Sequence, residues 1–268
     1  MKVYDNGEVV NKDSLADIFE PGFLFGWGVF EVLRAYKGKI PFLNSHIERL
    51  NKSLTLLEID QINLDWKSAI HNLLVENGLE DAYIRITVYK KRQGVGILIY
   101  VDKFEYYKED AYKKGFNAII SSHRRCSENI CSQVKSLSYL PNRLAWFGAQ
   151  KKKKSEALIL NPKGRLAGGS RSNLFLIKDN KVITPSIEDG AFCGITREVV
   201  INILKELNID IKEGATSLED FFSSQEVFLT SSLIEVMPLV ECDDKLISQG
   251  IPGEVTLKIL SEYRKLLN

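Results

Sequence analysis

Lys135 lies in the run Val134-Lys135-Ser136-Leu137-Ser138-Tyr139-Leu140, whose other members are apolar or small. Lysines are ordinarily solvated. One desolvated in such a run can have a depressed pKa and act as an amine nucleophile toward an aldehyde. A second group of residues suits anions. Gly190-Ala191-Phe192-Cys193-Gly194-Ile195-Thr196-Arg197 leads straight into an amphipathic segment. Open backbone N–H groups at a helix start, the positive end of its dipole and a threonine hydroxyl together make an anion site. An ordinary N-cap by Thr196 gives the same pattern. Thr230-Ser231-Ser232 follows a strand-like run, where hydroxyls commonly cap or terminate. Arg49 follows His46 by three residues, on the same face of a helix. Its planar fork suits a phosphate, although an ion pair with Glu48 or Glu58 is the plainer reading. Each signal has a structural explanation of its own, and residue chemistry alone does not join them.

Other chemistries are disfavoured. The chain has three histidines, His46, His71 and His123, too few and too scattered for a histidine metal site or a serine–histidine hydrolase. Its four cysteines lack metal-ligand spacing, so reduced thiols in a cytoplasmic protein are expected. A net charge of +1 gives no field for nucleic acid or a membrane surface. The basic run Lys151 to Lys154 reads as a solvated helix end. No apolar run approaches membrane-spanning length.

The elements that must position these residues follow an α/β (α+β) pattern. A hairpin is expected over Lys2 to Asn11, turning at Asp5-Asn6-Gly7. Phe23 to Tyr36 reads as a strand with close backbone approach near Gly26 and Gly28. Asn44-Ser45 offers a cap to a helix over His46 to Leu57, and Trp66 to Glu76 repeats the helical spacing. Ala82 to Tyr89 and Gly96 to Val101 read as strands, and Lys103 to Phe116 as a connection. Beyond it are expected a strand over Asn117 to Ser121, a helix from Pro141 and a strand over Glu156 to Leu160. A glycine turn over Gly164 to Gly169 precedes a strand over Asn173 to Ile177. Thr196 to Leu207 is helical, Gln225 to Thr230 a strand, and Val255 to Leu267 a closing helix. We expect an N-terminal domain over 1–112 and a cofactor-binding domain over 113–268, with a site in the cleft between two lobes.

Several strings together resemble the class IV aminotransferases, the fold type IV enzymes of pyridoxal phosphate (PLP). They are Gly26-Trp27-Gly28-Val29-Phe30-Glu31, His46-Ile47-Glu48-Arg49-Leu50, Lys135 to Asn142, Gly169 to Phe175, Thr184-Pro185, Gly194-Ile195-Thr196-Arg197 and Glu226-Val227-Phe228. The resemblance covers nearly the whole chain in the family's order. It implies a two-lobed architecture with PLP in the inter-lobe cleft, and a homodimer. Carried over by position, it implies Lys135 as the catalytic, cofactor-bearing lysine. Arg49, the Ile195 and Thr196 amides and Ser232 would bind the cofactor phosphate, and Tyr139 would lie near its phenolic oxygen. Tyr83 and Arg85, which share a face of a strand, would meet the substrate. The implied activity is amino transfer between a small, possibly branched-chain, amino acid and a 2-oxo acid, without nucleic-acid or membrane partners.

Three positions depart from the family pattern. Gly168 stands where relatives place a glutamate beside the pyridine nitrogen. Trp27 stands between glycines where a small or acidic residue is usual. Val88-Tyr89 replaces the Arg-Gly of D-amino-acid enzymes and lyases, which disfavours their carboxylate clamp. Ser231-Ser232-Leu233 with Val236-Met237-Pro238 is similar to the aminodeoxychorismate lyases, so a lyase is an alternative. A family member with weak or lost transamination, motivated by Gly168, is another.

Overall fold

The computed structural model describes residues 2–11, 19–105, 107–179 and 181–267. The chain divides into two compact units, one of Met1–Glu105 with Val134–Tyr139, the other of Tyr106–Gln133 with Leu140–Asn268. The strip around Lys135 thus packs with N-terminal residues, although it lies beyond the 112/113 cut expected from sequence.

The first unit begins with strands β1 (Lys2–Asp5) and β2 (Glu8–Asn11), a short helix α1 (Pro21–Phe25) and β3 (Gly28–Ala35). Helices α2 (Leu43–Leu56) and α3 (Trp66–Glu76) follow, then β4 (Ala82–Lys90) and β5 (Val95–Lys103). The strands form one sheet in the order β2-β1-β5-β4-β3. Asn6 and Gly7 form the β1–β2 turn at φ 49° and 110°, the positive φ pair that a two-residue hairpin turn requires. Alternation along β4 buries Ile84, Ile86 and Val88 in a core shared with Leu50 and Leu54 of α2 and Ile70 and Leu73 of α3. Tyr83 and Arg85 take the opposite face. Phe23, Leu24 and Phe25 are helical rather than the start of a strand: Pro21 opens α1 and Gly26 closes it in the left-handed region. Asn44 and Ser45 lie inside α2, whose N-cap is Phe42, without a side-chain cap. In α3, by contrast, the Asp65 side chain accepts from the Ser68 amide.

The second unit runs α4 (Glu109–Lys114), β6 (Phe116–Arg124), α5 (Ile130–Gln133), α6 (Leu140–Lys151), β7 (Glu156–Leu160), β8 (Leu166–Gly169), β9 (Asn173–Lys178) and β10 (Lys181–Pro185). It continues with α7 (Ile195–Glu206), β11 (Ile211–Gly214), α8 (Leu218–Phe222), β12 (Glu226–Ser231), β13 (Glu235–Cys242), β14 (Lys245–Leu246) and α9 (Glu254–Lys265). The sheet order is β11-β10-β9-β12-β13-β6-β7-β8, with β14 on β13. Pairing is parallel at β10–β11, β13–β6 and β6–β7 and antiparallel elsewhere. The expected glycine turn is only partly a turn. Leu166–Gly169 is strand, because its backbone pairs with β7, and the ladder overrides the weak strand preference of glycine. The apolar face of α7 buries Val200, Ile203 and Leu204, while Val199 is only half-buried. Among the described residues, no helix is long and apolar enough to cross a membrane.

Candidate active site

In the first unit Val134–Tyr139 is laid along β3. Lys135 and Phe30 are joined by a hydrogen bond from the Phe30 amide to the Lys135 carbonyl (2.8 Å), and the Leu137 amide donates to the Gly28 carbonyl (2.9 Å). This approach needs Gly28: a Cβ there would stand 2.6 Å from the Val88 carbonyl oxygen and 2.7 Å from Leu137. The half-buried Lys135 puts its Nζ 4.5 Å from the Phe30 ring centroid and 5.9 Å from that of Tyr139. The Tyr139 ring meets Phe30 edge-on at 5.1 Å. The Arg85 guanidinium stacks on the same Phe30 ring at 3.9 Å and donates from Nε to Thr87 (3.2 Å). Lys135, Tyr139 and Arg85 are therefore gathered around one aromatic residue. Tyr83 lies further along β4, its ring 5.6 Å from Tyr100. Burial, with Tyr83 close by, pushes the Tyr100 hydroxyl up to about 12, so it stays protonated.

Arg49 is not in a surface ion pair with Glu48 or Glu58. Its partner is Glu31, on the core face of β3: Arg49 Nε donates to Oε1 (2.8 Å) and Nη2 to Oε2 (2.6 Å). His46 Nδ1 meets the same carboxylate at 2.8 Å. Burial alone would raise the Glu31 carboxyl, but the charge and hydrogen bonds of Arg49, with the His46 bond, hold it near 2. An ionised carboxylate only accepts, so His46 Nδ1 carries the proton. Burial lowers the His46 pKa despite Glu31, and the charges of Arg49 and Lys135 push the same way. The sequence reading missed Glu31. Its signal was there: an acid amid Val29, Phe30, Val32 and Leu33 must find a partner if that strand is buried.

In the second unit, α7 starts at Ile195 with Gly194 as N-cap and no side-chain cap. Thr196 is not the cap; it lies within the first turn, 3% exposed. The first amides of the helix are thus left to an outside acceptor. A Cβ at Gly194 would fall 2.0 Å from Asn173 Oδ1, so the backbone is seated against that side chain. Asn173 is itself fixed by donating to the Phe192 carbonyl (2.7 Å) and is paired across the sheet with Thr230. Thr230 Oγ1 is buried without a hydrogen-bond partner among the described residues. The start of α7 thus lies against Asn173, which is paired with Thr230 near the end of β12, a grouping of amides and hydroxyl of the kind that binds phosphate. That donor set fits the phosphate of PLP. Arg197, from the same string, instead ties α7 to the sheet through the Pro185 carbonyl (3.1 Å) and Glu213 (2.6 Å).

Gly168 has φ +126°, and a Cβ there would stand 3.1 Å from the Ser172 carbonyl oxygen and 3.6 Å from Arg125 Nη1. The position is built for glycine, so restoring a glutamate there would strain the strand. Arg125 went unnoticed in the sequence because its partners are remote in the chain. Among the described residues, no cluster of three or more histidine, cysteine or acidic side chains could hold a metal.

The class IV amino-transferase family model matches residues 28–242. The chain belongs to this family. It is a PLP-dependent aminotransferase. A Methanocaldococcus jannaschii relative, whose name assigns it provisionally to branched-chain amino acids, is 35% identical over 99% of this chain and 96% of its own. A D-alanine aminotransferase of Bacillus licheniformis is 30% identical, over 97% and 94%. The solved branched-chain aminotransferase of the thermophilic archaeon Thermoproteus uzoniensis, with norvaline, superposes with a TM-score of 0.91 at 29% identity, covering 100% of this chain and 95% of that one.

Proposed function

We propose that this aminotransferase moves the amino group of a branched-chain amino acid to a 2-oxo acid, with Lys135 carrying the cofactor. One observation carries the assignment: Lys135 Nζ and the Arg85 guanidinium meet the same Phe30 ring, at 4.5 and 3.9 Å from its centroid. An amine that works at the substrate's α-carbon and a cation for its carboxylate are thereby kept in one neighbourhood. The cofactor supplies an aldehyde that exchanges amines and a ring that accepts an electron pair. Lys135 Nζ, pressed against aromatic carbon, takes and returns the proton at the α-carbon. The Ile195 and Thr196 amides and the Ser232 hydroxyl would hold the cofactor phosphate, and Arg49, fixed by Glu31, is the further phosphate ligand that the family resemblance implies. Tyr139, beside Lys135 at the Phe30 ring, would lie near the cofactor's phenolic oxygen. Tyr83 and Arg85 would receive the substrate.

The branched-chain reading is favoured over the D-amino-acid and lyase readings at Val88. Where those enzymes tend to place an arginine, Val88 is fully buried in the first core. The reading includes a homodimer, for which Phe19, Phe23, Leu24 and Phe25 offer exposed apolar surface. It also includes a reducing cytoplasmic setting, consistent with the free cysteines Cys126, Cys131, Cys193 and Cys242.

The test is borohydride reduction of the PLP-loaded protein followed by peptide mapping, with leucine, isoleucine, valine and D-alanine compared as donors. The expected result is a pyridoxyl group on Lys135 and turnover of the branched-chain donors. A label on another lysine removes the site assignment, and turnover of D-alanine alone removes the substrate.

A further inference from the structure

We propose that Arg125 sets the charge facing the cofactor's ring nitrogen and keeps that nitrogen unprotonated. The inference rests on the site proposed above, with Gly168 taken, as the family resemblance implies, to stand beside the ring nitrogen.

The guanidinium is built into the backbone around Gly168. Nη1 donates to the Ala167 carbonyl (3.2 Å) and the Gly190 carbonyl (3.4 Å), and Nη2 to the Gly169 carbonyl (3.0 Å). The carbonyls on both sides of Gly168 therefore hold one cation, and Nη1 is 3.6 Å from where a Gly168 Cβ would stand. Arg125 is 9% exposed, and arginine stays charged in proteins. Because φ of Gly168 is +126°, no ordinary side chain can displace the guanidinium without strain.

A buried carboxylate lies nearby but on the other side of the strand. Glu156 Oε2 is 3.0 Å from where a Cβ of Gly169 would stand, and successive residues of β8 face opposite ways. Its oxygens are engaged by the Ser170 amide (3.2 Å), the Ala157 amide (2.8 Å), the Ser172 hydroxyl (2.9 Å) and the Ser170 hydroxyl. Asp189, next to Gly190, is engaged by Asn161 (3.1 Å) and Arg165 (3.2 Å). The charged side chain against Gly168 is thus the cation of Arg125. A fixed cation disfavours protonation of a neighbouring base, the reverse of what a glutamate at this position would do. Gly168 and Arg125 form a coherent alternative to a carboxylate: a ring that withdraws fewer electrons, in a site otherwise equipped for amino transfer.

The experiment is nitrogen NMR of the full-length protein loaded with PLP labelled at the ring nitrogen. The wild-type signal is expected in the range of an unprotonated pyridine at neutral pH. In Arg125→Gln it should shift toward the protonated range. Arg125→Lys, which keeps the cation, should leave the signal near wild type and serves as the variant to read if Arg125→Gln does not fold. A protonated signal in the wild type overturns the proposal. So does a signal in Arg125→Gln that coincides with the wild type, or a protonated one in Arg125→Lys. Failure of the underlying site is separable: it shows as absence of the pyridoxyl label on Lys135, whatever the nitrogen signal.

Discussion

In the proposed reading the two units would grip an anion in two different ways. The first uses full charges: Arg49 is clamped by the buried Glu31, which also fixes His46. The second uses the uncapped start of α7, seated on Asn173, with the hydroxyl-bearing turn after β12. Charges removed from water must be paired and hydrogen-bonded, or they cost more than they contribute. Backbone amides cost less to desolvate than full charges, but they require close approach and so leave no room for a side chain. The charged grip should therefore be sensitive to proton concentration and to loss of a partner. The backbone grip should be sensitive to added volume.

The largest effect is expected from splitting the charged cluster. Glu31→Gln removes the anion and leaves Arg49 partly buried against a neutral amide, and breaking a buried pair in this way costs about 3–5 kcal/mol. Urea unfolding should show the loss, and PLP should dissociate faster from the folded fraction. A destabilisation below about 1 kcal/mol, the range of exposed pairs, would place Glu31 and Arg49 among ordinary surface ion pairs. Gly194→Ala comes next. Its Cβ would overlap Asn173 Oδ1 at 2.0 Å, and overpacking of this kind costs about 1–3 kcal/mol. Loss of cofactor retention should exceed the loss of stability, since the shift moves the first amides of α7. If retention is unchanged, the helix start does not hold the phosphate.

Acid should separate the grips as well. Glu31 is lowered from 4.5 to near 2 in the folded protein, so its contribution is present above the unfolded value and is lost as pH falls from 4.5 toward 2. In size it is on the order of 3 kcal/mol, taking roughly 1.4 kcal/mol per pH unit. His46 is also lowered, from 6.5, so the unfolded chain takes up its proton first and the loss begins below 6.5. Urea midpoints should thus fall with acid through both windows. In Glu31→Gln the fall between 4.5 and 2 should be shallower. An equally steep fall in that variant would show that other carboxylates dominate acid unfolding.

What the sequence made legible was local. Asn6-Gly7 names its own turn, and Lys135 its apolar strip. The misreadings arose where distant backbone decides. Gly168 and Gly169 read as a turn but are held as strand by β7. Phe23 to Phe25 read as strand-forming, yet Pro21 and Gly26 bracket a helical turn. Glu31 meets Arg49 across 18 positions, and Arg125 meets Gly169 across 44. Neither spacing belongs to a helix or strand period, so no pattern rule could pair them. The joining of Lys135, Arg49 and the α7 start into one site came from resemblance to a family, not from periodicity.

The smallest effect is expected within the backbone grip itself. Ser232→Ala removes one hydroxyl while the amides of Ile195 and Thr196 and the dipole of α7 remain. A neutral hydrogen bond contributes about 1 kcal/mol net, so PLP dissociation should rise roughly fivefold. Arg49→Lys keeps a cation but loses the planar fork that serves Glu31 through two N–H groups and would present the guanidinium to a phosphate. At about 1.5–3 kcal/mol for bonds to charged groups, its effect should be roughly ten- to a hundredfold. Competition dialysis of the cofactor at neutral pH would rank the two variants. If Ser232→Ala proves the more damaging, the hydroxyl turn rather than the arginine anchors the phosphate. Glu31 would then hold Arg49 for the stability of the first unit alone.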